Sequence, residues 1–158
     1  QVPMPTALWH VDFENLHFSE KIGMGAAATV YRGTYRDQTV AIKILRTGES
    51  LTEEKDLDDF RKELEILKTL RAPSIVTFIG ATLEPRLCMV LEYCSRGSLH
   101  NFLKDLSKDL TWELFFKWAV QCIKGVQVLH QFEPQIVHRD LKYETLLLVD
   151  NSTNINND

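Results

Sequence analysis

Two β-branched runs around a short polar turn constrain this chain most. Thr29–Tyr35 (TVYRGTY) and Thr39–Leu45 (TVAIKIL) flank Arg36–Asp37–Gln38, a turn of hairpin length, and together they predict paired antiparallel strands. The strand pattern already begins near Glu20. Ile75–Leu83 and Arg86–Tyr93 are two further strand candidates, split by Glu84–Pro85. One helix falls among them. In Asp56–Leu70 the residues Leu57, Phe60, Leu64 and Leu67 recur at spacings of three and four and draw one apolar stripe. Acids crowd its first turn, as the helix dipole favours, and Pro73 follows its end.

After Ser95–Arg96–Gly97 the pattern turns helical. Ser98–Leu106 is a short helix with Ser98 as its cap, and Thr111–Gln131 is a long one opening at Thr111. Trp112, Phe115, Phe116, Trp118, Ile123 and Leu129 cover more than one face of that long helix, which therefore expects burial on several sides. Ile136–Asp150 returns to short apolar runs around a charged centre. The fold class expected is α+β, with five strands and one helix followed by a helical part. The expected divisions are a lead-in over 1–18, a sheet part over 19–94, a helical part over 95–150 and a tail over 151–158. The boundary between the two main parts lies near Cys94–Gly97. Gln1–Pro5 reads as loose, Gly48–Thr52 as a linker, and Asn151–Asp158, with four asparagines, as low-complexity.

Composition excludes several function classes. With 158 residues there is room for one core rather than two full domains. Acids outnumber bases by 22 to 18, so the basic excess of a nucleic-acid-wrapping protein is missing. No apolar run approaches the length of a membrane span, and no signal peptide opens the chain. The three cysteines, Cys88, Cys94 and Cys122, show no CxxC spacing. They read as free thiols of a reducing compartment, the cytoplasm. The start at Gln1 rather than Met fits a piece of a longer protein.

Three motifs carry chemistry. Ile22–Gly33 (IGMGAAATVYRG) contains a G-x-G at Gly23 and Gly25. By itself this reads first as a glycine-containing hairpin turn and only second as a phosphate loop. It runs into a strand rather than a helix, so it is not the dinucleotide fingerprint. A glycine loop between antiparallel strands can fold over phosphates and donate backbone N–H groups. The second motif is Val40–Ala41–Ile42–Lys43. A lysine inside an apolar strand either faces water at an edge or turns inward to a partner, because a buried unpaired ammonium is costly. Glu63 on the following helix can serve as that partner and would aim the ammonium at a polyphosphate. The third motif is His138–Arg139–Asp140–Leu141–Lys142. There Asp140 can accept a proton from an attacking hydroxyl, and Lys142 can neutralise charge on a transferring phosphoryl group.

In this order and spacing, IGMGAAATV, VAIK, a helix glutamate, MVLEYC and HRDLKYETLLL resemble the eukaryotic protein kinases, from about His10 to about Asp150. Val11–Asp12–Phe13, Ile22–Gly23 and Val30–Tyr31–Arg32–Gly33 are similar to the tyrosine-kinase-like group, with its Raf and mixed-lineage types. The resemblance implies a bilobal fold: a five-stranded antiparallel N-lobe with its helix, then the first helices and catalytic loop of a C-lobe. It implies ATP and Mg²⁺ as cofactors, a protein as substrate, and regulatory protein partners. Ile22, Gly23 and Gly25 would lie over ATP, with Val30, Ala41 and Leu147 around the adenine. Leu91 would be the gatekeeper, Glu92 and Cys94 would bond the adenine edge through their backbone, and Ser98 would sit near the ribose. Lys43, braced by Glu63, would touch the α/β-phosphates. Leu67, Phe78 and His138 match a regulatory spine, with His138 packed. Lys142 leans toward Ser/Thr over Tyr as the phosphorylated residue.

Departures from the pattern also shape the expectation. Ala28 replaces the third loop glycine, and Ala26 and Ala27 leave the loop tip without an aromatic. Thr145 stands where the family carries its Mg²⁺-ligating asparagine, and a threonine hydroxyl is a poorer, shorter-reaching ligand. Tyr143 fills the usual proline position. No Asp-Phe-Gly follows the loop, so the chain as given is expected to be an incomplete catalytic domain with little activity alone. The leading reading is an ATP-dependent protein kinase with Asp140 as base. The alternative is a pseudokinase, a nucleotide-binding or scaffold module, which Thr145 and Ala28 favour and which Lys43, Glu63 and Asp140 oppose.

Overall fold

The computed structural model describes residues 8–46, 54–105 and 107–149, and at 54–56 the backbone alone. Expectations for Gln1–Pro5, Gly48–Thr52, Leu106, Asp150 and Asn151–Asp158 lie outside the described residues. The strands are β1 (His17–Met24), β2 (Ala28–Tyr35), β3 (Gln38–Leu45), β4 (Phe78–Thr82) and β5 (Cys88–Glu92); the helices are α1 (Glu54–Leu67), α2 (Leu99–Lys104) and α3 (Trp112–His130). All five strands pair antiparallel in the order β1-β2-β3-β5-β4. This is the sheet the resemblance implies. Two compact units result. One holds the residues through Arg71 with Val76–Tyr93; the other holds Ala72–Ile75 and the chain from Cys94 on.

The first unit follows from alternation along β3. Val40 and Ile42 are fully buried on one face with Cys88, Val90, Tyr35, Val11 and Leu16. Leu45, an odd number of residues from Val40 and Ile42, joins Met89, Leu87, Ala81, Phe60 and Leu64 on the other face, where α1 packs. The α1 stripe lands as the spacing predicts, with Phe60 and Leu64 buried and Leu57 and Leu67 packed beside them. Burial also pushes the Cys88 thiol up to about 12, so it is a core group at neutral pH. The β2–β3 hairpin turns on Arg36 and Asp37, at φ +47° and +62°. Two residues in the left-handed region make the turn whose twist matches a hairpin. Gln38, expected in the turn, pairs with Tyr35 instead.

Other boundaries differ for identifiable reasons. Helix α1 ends at Leu67, not Leu70, because the Thr69 hydroxyl donates to the Ile66 carbonyl at 2.8 Å and closes the last turn. Strand β4 starts at Phe78, not Ile75, because Ala72–Ile75 forms a turn closed by Ile75 N–H to Ala72 C=O. The lead-in is built into the sheet unit. Its backbone forms a parallel bridge to β4 at His10–Ala81, Val11 is 2% exposed, and β1 already begins at His17.

The second unit opens on two capped helices. The Ser98 hydroxyl accepts from Asn101 N–H, and the Thr111 hydroxyl accepts from Leu114 N–H. Phe102 meets Trp118 edge-on at 4.9 Å, and Gly125 of α3 packs against Ser74. Leu129 is buried, while Trp112, Phe116, Val120 and Ile123 remain exposed, so α3 carries apolar residues on more than its buried face.

Docking of the lead-in needs a glycine at 80. A Cβ there would lie 2.5 Å from Val11 Cγ2 and 2.7 Å from the Trp9 carbonyl oxygen, and the latter is backbone that cannot move aside. Gly80→Ala is expected to lower stability by about 1–3 kcal/mol in denaturant titrations. Gly23→Ala, whose Cβ would meet only Val30 at an ordinary 3.6 Å, is the control and should change stability by less than about 0.5 kcal/mol.

Candidate active site

The sheet register gathers the sequence-predicted residues of the first unit into two neighbouring rows. Gly23 pairs with Val30, Val30 with Lys43, and Lys43 with Met89. In the next row Arg32 pairs with Ala41, Ala41 with Leu91, and Leu91 with Phe78. Directly opposed residues of antiparallel strands share a face. Gly23, Val30, Ala41, Lys43 and Leu91 therefore stand together on the face that carries α1. Ile22 sits at the irregularity between the Lys21 and Gly23 pairs and is half-exposed.

Lys43 takes the inward option. Its Nζ lies 2.6 Å from Glu63 Oε1, with the two side chains 28% and 42% exposed. The pair holds the ammonium at the sheet surface, in the row that ends at Gly23. The glycine loop closes tightly, with Gly25 N–H donating to Ala28 C=O at 2.9 Å. A Cβ on Gly23 or Gly25 would meet only ordinary contacts, and neither has a positive φ. The fold itself thus accepts alanine at both positions.

At the unit boundary, Glu92 is tied twice to Thr77. Its N–H donates to the Thr77 carbonyl and its Oε1 accepts from the Thr77 N–H, each at 2.9 Å. Cys94 is buried, and its carbonyl accepts from Gly97 N–H in a turn where Gly97 sits at φ +68°.

The second unit carries the remaining residues. Ser98 and Leu147 form an antiparallel bridge, so the expected ribose and adenine-floor positions are neighbours. Leu99 N–H to Leu146 C=O and Leu148 N–H to Gly97 C=O, both 2.8 Å, hold Leu147 there with its side chain 46% exposed. In the loop that follows His138, Lys142 Nζ lies 3.0 Å from Asp140 Oδ1. That hydrogen bond, reinforced by the charge of Asp140, raises the Lys142 ammonium above its ordinary value. Asp140 N–H donates to His138 Nδ1 at 3.3 Å. His138 is exposed, not packed as expected, and serves the loop through that ring nitrogen. Arg139 stands at φ +63°, an uncommon state for a side-chain-bearing residue.

Thr145 is the centre of the loop's hydrogen bonds. Its Oγ1 accepts from Lys142 N–H at 3.1 Å and donates toward the carbonyls of Asp140 at 3.1 Å and Lys142 at 2.9 Å. Among the described residues, no group of three or more His, Cys, Asp or Glu stands together as a metal site.

One residue, His100, had no role in the sequence pattern. His100 stacks on Tyr143 with centroids 5.1 Å apart and planes at 14°, and its N–H donates to the Tyr143 carbonyl. Its Nδ1 also lies 3.7 Å from Glu144 Oε1. Tyr143 in place of a proline was the available signal, but its partner lies on another element.

The comparisons agree with this architecture. The family profile described as protein tyrosine and serine/threonine kinase matches residues 16–156. Stress-activated protein kinase alpha of Dictyostelium discoideum is 44% identical over 140 residues, which is 89% of this chain and 22% of that protein. A second Dictyostelium discoideum protein, named as a serine/threonine-protein kinase, is 47% identical over 145 residues, 92% of this chain and 6% of its own length. Ankyrin repeat-containing protein kinase A of the same organism is 39% identical over 137 residues, 87% of this chain and 9% of that protein. The chain belongs to the protein kinase family, a family of transferases that generally use ATP and Mg²⁺. It spans 22% or less of the length of these relatives. No helix among the described residues is long and apolar enough to cross a membrane.

The Lys142–Asp140 contact has a measurable signature. A raised pKa means the pair favours the folded loop fully below the ordinary lysine value of 10.5 and loses that contribution as pH climbs through the raised value. Side-chain nitrogen NMR of Lys142 should show titration displaced upward, and Asp140→Asn should return it toward the ordinary value. An unshifted Lys142 in the unsubstituted protein contradicts the pairing.

Proposed function

We propose that this chain forms the nucleotide-binding and catalytic-loop part of a serine/threonine protein kinase of the tyrosine-kinase-like group. The observation that carries the reading is the 2.6 Å Lys43–Glu63 pair in the row that leads to the Gly23 loop. An ammonium held in place at a half-open surface, next to glycines the fold does not itself require, suits a polyphosphate. The part assigned to the nucleotide is 19–94, and the part assigned to catalysis is 95–150. Gly23 and Gly25 approach the phosphates, Lys43 pairs with the α/β-phosphates, and Val30, Ala41 and Leu91 give the adenine an apolar surface. Glu92 and Cys94 meet the adenine edge through their backbone. Leu147 and Ser98 supply adenine and ribose contacts from the second unit.

Asp140 receives the proton of a substrate hydroxyl as that oxygen forms its bond to the γ-phosphorus and the bond from phosphorus to the ADP oxygen breaks. Lys142 stands beside Asp140 and offsets charge on the transferring group. The serine/threonine assignment draws on Lys142 and on the names of the relatives; the group assignment draws on Val11–Asp12–Phe13 and the residues around Gly23. The three cysteines, none in a CxxC spacing, suit a reducing compartment and so a cytoplasmic location, and a protein substrate and regulatory partners follow from the family reading.

Thr145 favours a second reading, a nucleotide-binding scaffold, because its hydroxyl is engaged by the loop backbone. The two separate in one assay on the intact protein with ATP and a mixed protein substrate. The kinase reading expects label on serine and threonine. Lys43→Met and Asp140→Asn should each lower transfer by about 100-fold or more, with ATP binding weakened only by the first. ATP binding without any transfer selects the scaffold; label on tyrosine alone overturns the substrate class; no ATP binding overturns both.

A further inference from the structure

We propose that Thr145 is the positioning residue of the catalytic loop, fixing Asp140 and Lys142 through their backbone, and that it is not a metal ligand. The inference rests on the kinase reading for what the loop does, but its geometry is independent of that reading.

Lys142 is held from both sides by one residue. Its carbonyl accepts from Thr145 N–H at 3.0 Å, and its own N–H donates to Thr145 Oγ1 at 3.1 Å. The hydroxyl hydrogen of the same Oγ1 faces the carbonyls of Asp140 and Lys142 at 3.1 and 2.9 Å. Asp140 is thereby fixed at three points: its carbonyl by Thr145, its N–H by His138 Nδ1 and its carboxylate by Lys142 Nζ. These ties enclose Arg139, whose φ of +63° is an uncommon state that persists only where neighbours over-determine it.

The same bonds argue against metal. A hydroxyl has one hydrogen and two lone pairs. Here the hydrogen and one lone pair are taken. Mg²⁺ demands near-octahedral oxygen at about 2.0–2.1 Å. The Thr145 oxygen stands one bond nearer the backbone than an asparagine amide oxygen, and swinging it toward an ion would release the bonds to Asp140 and Lys142. The residue therefore does not fit the metal role its place in the motif suggests. It fits the bracing role, which needs only a donor and an acceptor at that reach.

The test uses the intact protein and two variants, Thr145→Val, which keeps shape but loses the hydroxyl, and Thr145→Ser, which keeps the hydroxyl. Without nucleotide, amide exchange at Lys142 should quicken about fivefold or more in Thr145→Val and stay near the original rate in Thr145→Ser. With ATP and substrate, Thr145→Val should lose about tenfold or more in kcat with little change in the KM for ATP, and Thr145→Ser should recover most of it. Mn²⁺ affinity, read by electron paramagnetic resonance with and without ATP, should be the same in all three. Unchanged Lys142 exchange in Thr145→Val overturns the bracing role. A marked fall of Mn²⁺ affinity in that variant overturns the exclusion of metal. Should the unsubstituted protein neither bind ATP nor transfer phosphate, the kinase reading fails while the Lys142 exchange still decides the loop's pin.

Discussion

Strand β3 is paired on both sides, to β2 through eight registered positions and to β5 through five, and its period of two divides the first unit into two faces. Val40 and Ile42 go to the core that also receives the lead-in; Ala41 and Lys43 go with α1. A slip of one residue would exchange these sets, burying Lys43 among Val90 and Tyr35 without a carboxylate and exposing Ile42. The hydrophobic pattern that fixes the register therefore also places the ammonium. The chemistry of the first unit is a by-product of where the core residues must go.

The Lys43–Glu63 pair is too open to be a major source of stability, since exposed ion pairs contribute roughly 0–1 kcal/mol. Its effect is directional. The carboxylate is delivered by an amphipathic helix whose stripe is buried through Phe60 and Leu64, so Glu63 is held by the packing of its own turn. The second unit solves a similar problem by other means. Its loop is nearly all exposed, and backbone hydrogen bonds replace packing as the source of order. One set of residues is thus positioned by a core and the other by a network of short local bonds.

Local chemistry was legible in the sequence, and long-range chemistry only where a period carried it. The caps Ser98 and Thr111, the α1 stripe and the β2–β3 hairpin are all encoded within a few residues and appear where the spacing puts them. Glu63 as the partner of Lys43 was readable because it lies on the same turn as buried positions of an amphipathic helix. The bridge from the lead-in to β4 was not readable, because nothing in Trp9–Val11 names Ala81 as its neighbour; Gly80 is a clue only once the approach of Trp9 is known. The stacking of Tyr143 on His100 and the exposure of His138 were hidden for the same reason. Each depends on which element comes alongside, not on any local pattern.

Two of the departures from the motif, Ala28 and Thr145, are accommodated by local backbone bonds. Ala28 is not a loop residue here. It is the first residue of β2, it pairs with Leu45, and its carbonyl accepts from Gly25 N–H. An extended strand position has no use for the special backbone freedom of glycine, so alanine there closes the loop without strain. Thr145 likewise fills its place with a donor and an acceptor that the loop consumes. Both substitutions preserve what the local backbone needs. The two positions differ in reach: Thr145 bonds the backbone of Asp140 directly, so its replacement disturbs the loop that holds Asp140, whereas Ala28 contributes a strand pairing and the turn bond from Gly25.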